Sequence, residues 1–164
     1  SPRLPNSTSI APVSAWYIAI LYATVEICML HDHLHEAKIW LEYALADLAI
    51  ARMPLPEHSK YEMLLFHAQQ AVEKSLKAIL VLRQIEFPYT HSLYRLVRLI
   101  PDEYGGRDLL LASTVLTEYA VLSRYPSEPI SVDEEQYHHL LGLAEQVFTW
   151  AKQVIASSSE TSSY

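Results

Sequence analysis

Residues 64–80, with the sequence LLFHAQQAVEKSLKAIL, decide the fold of this 164-residue chain. Their apolar side chains recur at steps of three and four residues, which places them on one face of a helix. The members of this apolar stripe are Leu64, Leu65, Ala68, Val72, Leu76, Ile79 and Leu80. The pattern extends on both sides, so the sequence predicts a helix over residues 57–84.

The same helical period appears on both sides of this helix, and no alternating strand pattern competes with it. Four further helices are predicted. Three of them cover residues 32–52, residues 90–100 with Thr90 as the N-cap, and residues 107–123, and the last begins at a capping box formed by Ser131 and Glu134. Short connections between long amphipathic helices favour antiparallel neighbours. We therefore expect an all-α, up-and-down antiparallel helical bundle of four to five helices.

The two ends of the chain differ from this pattern. Residues 1–30 hold a proline-rich start and an apolar run from Ala15 to Val25, shorter than the roughly 20 residues that a membrane-spanning helix needs. They are expected to be a leader or an extra N-terminal segment, either native or foreign to a protein that begins at Met29. Residues 31–156 form the predicted bundle, and the serine-rich residues 157–164 are predicted to be a disordered tail.

The composition narrows the classes of function. Nineteen acidic residues outnumber twelve basic ones, and the net charge of −7 argues against a protein that coats DNA. The single cysteine, Cys28, excludes an internal disulfide framework and a cysteine-based zinc site. Within this acidic chain, residues 72–98 hold five basic and two acidic residues. An anionic ligand is therefore expected at this segment.

Four polar residues of the central helix share one side of it. His67, Gln70, Lys74 and Lys77 are spaced at i, i+3, i+7 and i+10, and 100° per residue puts them in a strip about 80° wide. Two ammonium groups, an amide and an imidazole could hold a phosphate or the edge of a nucleotide. The alternative is a solvent-exposed face on which Glu73 and Lys77 form an ion pair at i,i+4.

Two further residues are candidates for the same anion site. Arg124 ends the fourth predicted helix, where it either complements the helix dipole or turns inward as a bidentate clamp on a phosphate. His91 follows the candidate cap Thr90 and lies near a helix N-terminus, where backbone donors favour anions. The alternative for His91 is a solvent-exposed loop position.

Other chemistry-bearing patterns are weak. His31 and His35 share a helical face, but no second cluster completes a closed metal site, so we expect neither a metal ion nor a cofactor. The sequence has no glycine-rich phosphate loop and no nucleophile elbow. The polar strip of the central helix remains the main candidate.

Three segments together resemble the HEPN domain family. They are residues 66–77 (FHAQQAVEKSLK), residues 90–93 (THSL) and residues 123–126 (SRYP). The resemblance spans roughly residues 32–156 and implies a small helical bundle, usually a homodimer, in a cytoplasmic prokaryotic protein without membrane association. It also implies a minimal nucleotidyltransferase as partner, often in a toxin–antitoxin-like pair, and the binding of a nucleotide or RNA.

Many HEPN proteins are metal-independent ribonucleases with an arginine, four to six residues, and then a histidine. This sequence departs from that pattern, because thirteen residues with two prolines among them separate Arg124 from His138. Arg52 and His58 fit the spacing, but the two prolines between them oppose the helical geometry that would pair the side chains. We therefore expect the protein to be non-catalytic.

We accordingly expect a HEPN protein in which Lys74, Lys77 and Arg124 contact a phosphate, assisted by His67, Gln70 and His91. One alternative is a ribonuclease toxin that uses Arg124 and His91. The other is a structural dimerisation module, in which Glu73, Lys74 and Lys77 form ion pairs at a seam. Small residues on the central helix would let another helix approach closely, either at that dimer seam or within the same chain. These residues are Ala68, Ala71, Ser75 and Ala78.

Overall fold

The structure, a computed structural model, describes residues 15–122 and 131–160. These residues form α-helices, two 3₁₀ turns and no strand. The helices are α1 (Ala15–Ala51), α2 (Tyr61–Leu82), α3 (Leu93–Val97), α4 (Arg107–Ser113), α5 (Thr117–Leu122) and α6 (Glu134–Glu160), and the 3₁₀ turns are Asp102–Tyr104 and Thr114–Leu116. The predicted all-α helical bundle is confirmed.

Contacts at the two ends of the bundle define the helix directions. Tyr61 and Tyr137, at the starts of α2 and α6, stack with ring centroids 4.7 Å apart. The Tyr137 hydroxyl also donates to the carbonyl of Ala51 at the end of α1, over 2.5 Å. Towards the other end, the Trp150 indole of α6 donates to the carbonyl of Tyr104, just before α4. The chain therefore runs up through α1, down α2, up α4 and α5, and down α6.

The core of the bundle is centred on α2, which packs against α1, α5 and α6. Its predicted apolar stripe is buried throughout. The largest fully buried apolar side chains of the core are Leu48, Leu65, Leu76, Ile79, Leu80, Leu93, Leu96, Leu110 and Leu116. Because α2 has neighbours on several sides, its small residues Ala68, Ala71, Ser75 and Ala78 are also fully buried within the chain.

The long helices differ in length from the prediction. The first begins at Ala15 rather than at residue 32, because the apolar run assigned to a separate leader continues the same helix. The last continues to Glu160, so the first residues of the predicted disordered tail are helical. The hydroxyls of Ser157 and Ser158 donate to the carbonyls one turn earlier, which accommodates serine in this final turn.

The predicted fourth helix is interrupted. Residues 114–116 form a 3₁₀ turn between α4 and α5, beginning where Ser113 and Thr114 donate from their hydroxyls to carbonyls three residues earlier. Such local bonds compete with regular helix geometry. The described part of α5 ends at Leu122.

Two predicted helix caps were wrong by two residues. The cap of α3 is Ser92, whose hydroxyl accepts from the amide of Arg95, rather than Thr90. The capping box of α6 is formed by Asp133 and Gln136, each of whose side chains accepts from the other's backbone amide. The observed box therefore satisfies the backbone amides of Asp133 and Gln136, whereas the predicted one would have satisfied those of Ser131 and Glu134.

The N-terminal half of α1 extends beyond the bundle. Every described side chain between residues 16 and 32 is exposed, and His33 and Leu34 are the first partly buried positions. We call residues 15–32 the α1 extension; at 1.5 Å per residue it is about 27 Å long. Despite this apolar segment, none of the described helices combines the length and the hydropathy required to cross a bilayer.

Candidate functional site

A group of polar side chains lies on the side of α2 that faces α1 and the loop before α3. Its members are Asp47 of α1, His67, Gln69, Gln70, Glu73, Lys74 and Lys77 of α2, and His91 of the loop, and we call them the α2 polar cluster. Two of its members are carboxylates, Asp47 and Glu73, which are 8% and 3% exposed. Each carboxylate organises one half of the cluster.

Asp47 joins α1 to α2. One of its carboxylate oxygens lies 3.0 Å from Nδ1 of His67, and the other accepts a hydrogen bond from the ammonium group of Lys74. The side chains of His67 and Lys74 are 30% and 23% exposed, so their outer edges remain accessible to solvent. This half therefore combines a fixed carboxylate with two partly accessible nitrogen groups.

Glu73 joins α2 to the loop before α3. One carboxylate oxygen accepts from the ammonium group of Lys77 at 2.6 Å. The other accepts from the amide of Gln69 at 3.1 Å and lies 3.2 Å from Nδ1 of His91. Gln69 also donates to the carbonyl of His91 and accepts from Gln70, so that one hydrogen-bonded network links helix and loop.

Lys77 is enclosed by more than its carboxylate partner. Its ammonium nitrogen lies 5.6 Å from the ring centroid of Trp40 and 5.7 Å from that of Phe87. These distances suit cation–π attraction, and only 11% of the Lys77 side chain is exposed. The ammonium group of Lys77 is thus held inside the protein between Glu73 and two aromatic rings.

The environment of Glu73 favours its ionised form. Burial alone would raise the pKa of the Glu73 carboxyl, but hydrogen bonds from Lys77, Gln69 and His91 and the charge of Lys77 outweigh burial and lower it. Every buried side-chain nitrogen and oxygen atom of the described residues has a hydrogen-bond partner. The Glu73 half is therefore a satisfied ion-pair network and not a vacant anion site.

The structure brings five of the six predicted binding residues into one cluster. The predicted ion pair of Glu73 and Lys77 is present, but it is buried instead of lying on a solvated face. The two lysines do not converge on one open pocket, since Lys74 turns to Asp47 and Lys77 turns to Glu73. Two carboxylates balance two ammonium groups, so the predicted strip is not the basic surface that the local charge count indicated.

The remaining predicted residue, Arg124, lies outside the described residues. The one arginine–histidine pair that fits the ribonuclease spacing, Arg52 and His58, does not form a site. Arg52 is bound 2.6 Å from Glu145 of α6, whereas His58 lies next to Glu57 in a turn with a positive φ of 64°. Arg52 and His58, on the two sides of the turn between α1 and α2, thus contact different acidic residues.

Sequence reasoning missed Asp47, Gln69 and the aromatic neighbours of Lys77. Asp47 carried a signal, because it lies three residues after Ala44 and four before Ala51 on the buried side of α1. An acidic residue in such a stripe requires a cationic or hydrogen-bonding partner. No comparable signal in the sequence identifies Trp40 and Phe87, which approach Lys77 from two different elements.

Comparisons with known proteins agree with this fold. The family model of the HEPN domain matches residues 37–154, a range that includes the whole α2 polar cluster. The crystal structure of an archaeal HEPN homologue matches with a TM-score of 0.57 and 26% sequence identity, over 73% of this chain and 97% of that chain. A search of curated proteins finds no significant match.

Proposed function

Since this chain belongs to the HEPN family, we propose that it is a non-catalytic HEPN protein that binds a nucleotide or an RNA phosphate at the Asp47 half of the α2 polar cluster. The observation that carries the proposal is the shared carboxylate of Asp47, which holds Lys74 and His67 side by side with their outer edges exposed. Buried charged groups cost stability and cluster at functional sites.

The contacts support distinct roles for the two lysines. Lys74 is accessible enough to share its ammonium group between Asp47 and a bound phosphate, with His67 and Gln70 as hydrogen-bonding neighbours. Lys77 is enclosed by Glu73, so it positions the network instead of contacting the ligand. His91, whose side chain is 41% exposed, offers a further contact on the loop side.

We also propose Arg124 as a phosphate clamp. This assignment rests on the chemistry of its side chain, since Arg124 lies outside the described residues. An arginine can bind a phosphate through two parallel hydrogen bonds, which a lysine cannot do. A second cation is needed because Asp47 offsets the charge of Lys74.

The proposal includes partners that HEPN membership supports. We place the protein in a homodimer that acts with a minimal nucleotidyltransferase in a toxin–antitoxin-like pair. A nucleotidyltransferase encoded beside this chain should copurify with it when both are expressed together. Failure of every neighbouring nucleotidyltransferase to copurify would remove this part of the proposal without affecting phosphate binding.

Binding of ATP and of a short 5′-phosphorylated RNA tests the site. We expect Lys74→Ala to weaken binding about tenfold, which corresponds to about 1.4 kcal/mol, and the affinity of the parent to fall as salt rises. Lys152→Ala is the matched control, since Lys152 is an exposed lysine of α6 outside the cluster. A Lys74→Ala protein that binds as tightly as the parent would contradict the site assignment.

A second candidate role is structural, and the Glu73–Lys77 pair favours it. This pair is buried and fully hydrogen-bonded, and it joins α2 to the loop that carries His91. In that case the cluster stabilises the bundle and binds no ligand. Lys74→Ala would then lower the melting temperature, and no ligand would raise the melting temperature of the parent. The ribonuclease alternative predicts RNA cleavage that His91→Ala abolishes.

A further inference from the structure

The α1 extension exposes apolar side chains on two sides, with Trp16, Ile20 and Ile27 on one side and a coiled-coil spacing on the other. Ile18, Tyr22, Val25 and Met29 are spaced at i, i+4, i+7 and i+11, which is the alternating four–three spacing of a coiled-coil seam. They are 42%, 69%, 53% and 53% exposed, and Leu21 beside them is 50% exposed. We call these five residues the extension seam.

The extension seam does not continue the face by which α1 joins the bundle. The core side of α1 contains Leu34, Ala37 and Leu41. At 100° per residue, the mean direction of the seam lies more than about 90° around the helix from these three residues. The rest of the bundle therefore cannot cover the seam while α1 remains one straight helix.

We infer that the extension seam pairs with the extension seam of a second copy of this chain, so that two α1 helices form a short coiled coil outside the HEPN bundles. The inference rests on the proposed function only in that it gives the proposed homodimer a surface. That surface lies outside residues 37–154, the range that the HEPN model matches.

The exposed area of the extension seam is large enough for pairing with a second copy of the chain. Five side chains, each with on the order of 100 Å² exposed, supply about 500 Å² per copy and about 1,000 Å² in a pair, which is the lower limit for a specific interface. A two-fold axis would bring the same seam from both copies together and close the assembly at a dimer. A dimer of this size should dissociate measurably on dilution.

The charge of the extension argues against other occupants. Residues 15–37 contain no lysine or arginine, and Glu26 is the only charged residue between residues 15 and 31. Interfacial helices that bind anionic lipid headgroups carry basic residues on their polar face. A nucleic acid would likewise require cations. An uncharged, self-complementary seam matches an identical helix better than either.

The oligomeric state of the full chain tests the inference. We expect light scattering to show a dimer for the parent, and we expect Val25→Glu to raise the dimer dissociation constant at least tenfold. Thr24→Glu is the matched control, because it adds the same charge one residue away, at an exposed position off the seam. Far-UV circular dichroism verifies that both variants keep the helical content of the parent.

Cys28 provides a second readout, since it is the only cysteine, is exposed, and lies next to Met29. In a parallel pair, a bismaleimide with a reach of about 10 Å, comparable to the distance between packed helix axes, should cross-link the parent and Thr24→Glu into dimers but not Val25→Glu. In an antiparallel pair the two Cys28 residues lie beyond this reach, and light scattering alone decides. Cross-linking is done near the dimer dissociation constant that light scattering gives, and Val25→Glu at the same concentration measures random collisions.

Three outcomes would overturn the inference. A Val25→Glu protein that remains dimeric would place the dimer surface elsewhere and leave the proposed homodimer intact. A parent that is monomeric at every concentration would overturn both the seam and the homodimer, while phosphate binding would still be decided by Lys74→Ala. A monomeric parent that cosediments with phosphatidylcholine vesicles would assign the seam to a membrane surface.

Discussion

Replacement of Lys77 by alanine should destabilise the protein strongly at neutral pH. The substitution leaves the ionised Glu73 buried with Gln69 and His91 as its remaining partners. Removing one partner of a buried ion pair costs about 3 to 5 kcal/mol, and because two hydrogen-bonding partners remain, we expect the lower end, about 3 kcal/mol. For a chain of this size, that lowers the melting temperature by about 6 to 12 °C.

The destabilisation caused by Lys77→Ala should shrink as the pH falls. In the parent, the lowered pKa of Glu73 contributes stability that is present above the ordinary glutamate pKa of 4.5 and is lost as the pH falls through the folded-state pKa. In the variant, the hydrogen bond and charge of Lys77 no longer oppose burial, so the pKa of Glu73 rises. Protonated Glu73 needs no cationic partner, and the two proteins therefore approach equal stability in acid.

Urea unfolding followed by circular dichroism at a series of pH values from neutral to acid measures this difference. The exposed Lys152→Ala serves as control and should remain within about 0.5 kcal/mol of the parent. The double variant Glu73→Gln/Lys77→Met should recover much of the lost stability, because it removes both charges together. A Lys77→Ala protein as stable as the parent at neutral pH would refute the reasoning that Glu73 depends on Lys77.

Two further substitutions test the packing of the bundle, each by thermal and urea unfolding. Tyr137→Phe removes the hydrogen bond to the carbonyl of Ala51 and should cost about 1 kcal/mol; no change would mean that this bond does not hold the end of α1. Gly106→Ala should cost about 1 to 2 kcal/mol, because φ is +74° and a Cβ there would lie 2.9 Å from Nε1 of Trp150. Gly142→Ala is its control, since Gly142 is helical and a Cβ added there would meet no atom within 4 Å, so this substitution should raise stability slightly.

The fold was predictable because its signal is local. The apolar period of residues 64–80 marks the buried face of α2, and the prolines at 54 and 56 mark the end of α1. The caps were displaced because Ser92 and Asp133 are as suitable chemically as Thr90 and Ser131. A choice between neighbouring polar residues depends on the path of the preceding loop, which the period of a helix does not encode.

The site was predictable only in part. Spacing along α2 placed His67, Lys74 and Lys77 on one side of the helix, and this placement agrees with the cluster. The spacing along α2 could not predict that Asp47, 20 residues before His67, would contact both His67 and Lys74. Partners contributed by another helix depend on packing and not on local period, so a strip that reads as cationic in sequence is neutralised in the fold.

The continuity of α1 links the two ends of the molecule. One unbroken helix carries Val25 in the extension seam and Asp47 in the polar cluster, and these residues are about 33 Å apart along its axis at 1.5 Å per residue. When two copies pair through the extension seam as we propose, α1 sets the distance between that seam and the α2 polar cluster of each copy. A parallel pair would set both α2 polar clusters at the same height, so that Lys74 of each copy could contact one short RNA. An antiparallel pair would hold the two clusters on the order of 70 Å apart, so that each would bind a separate ligand.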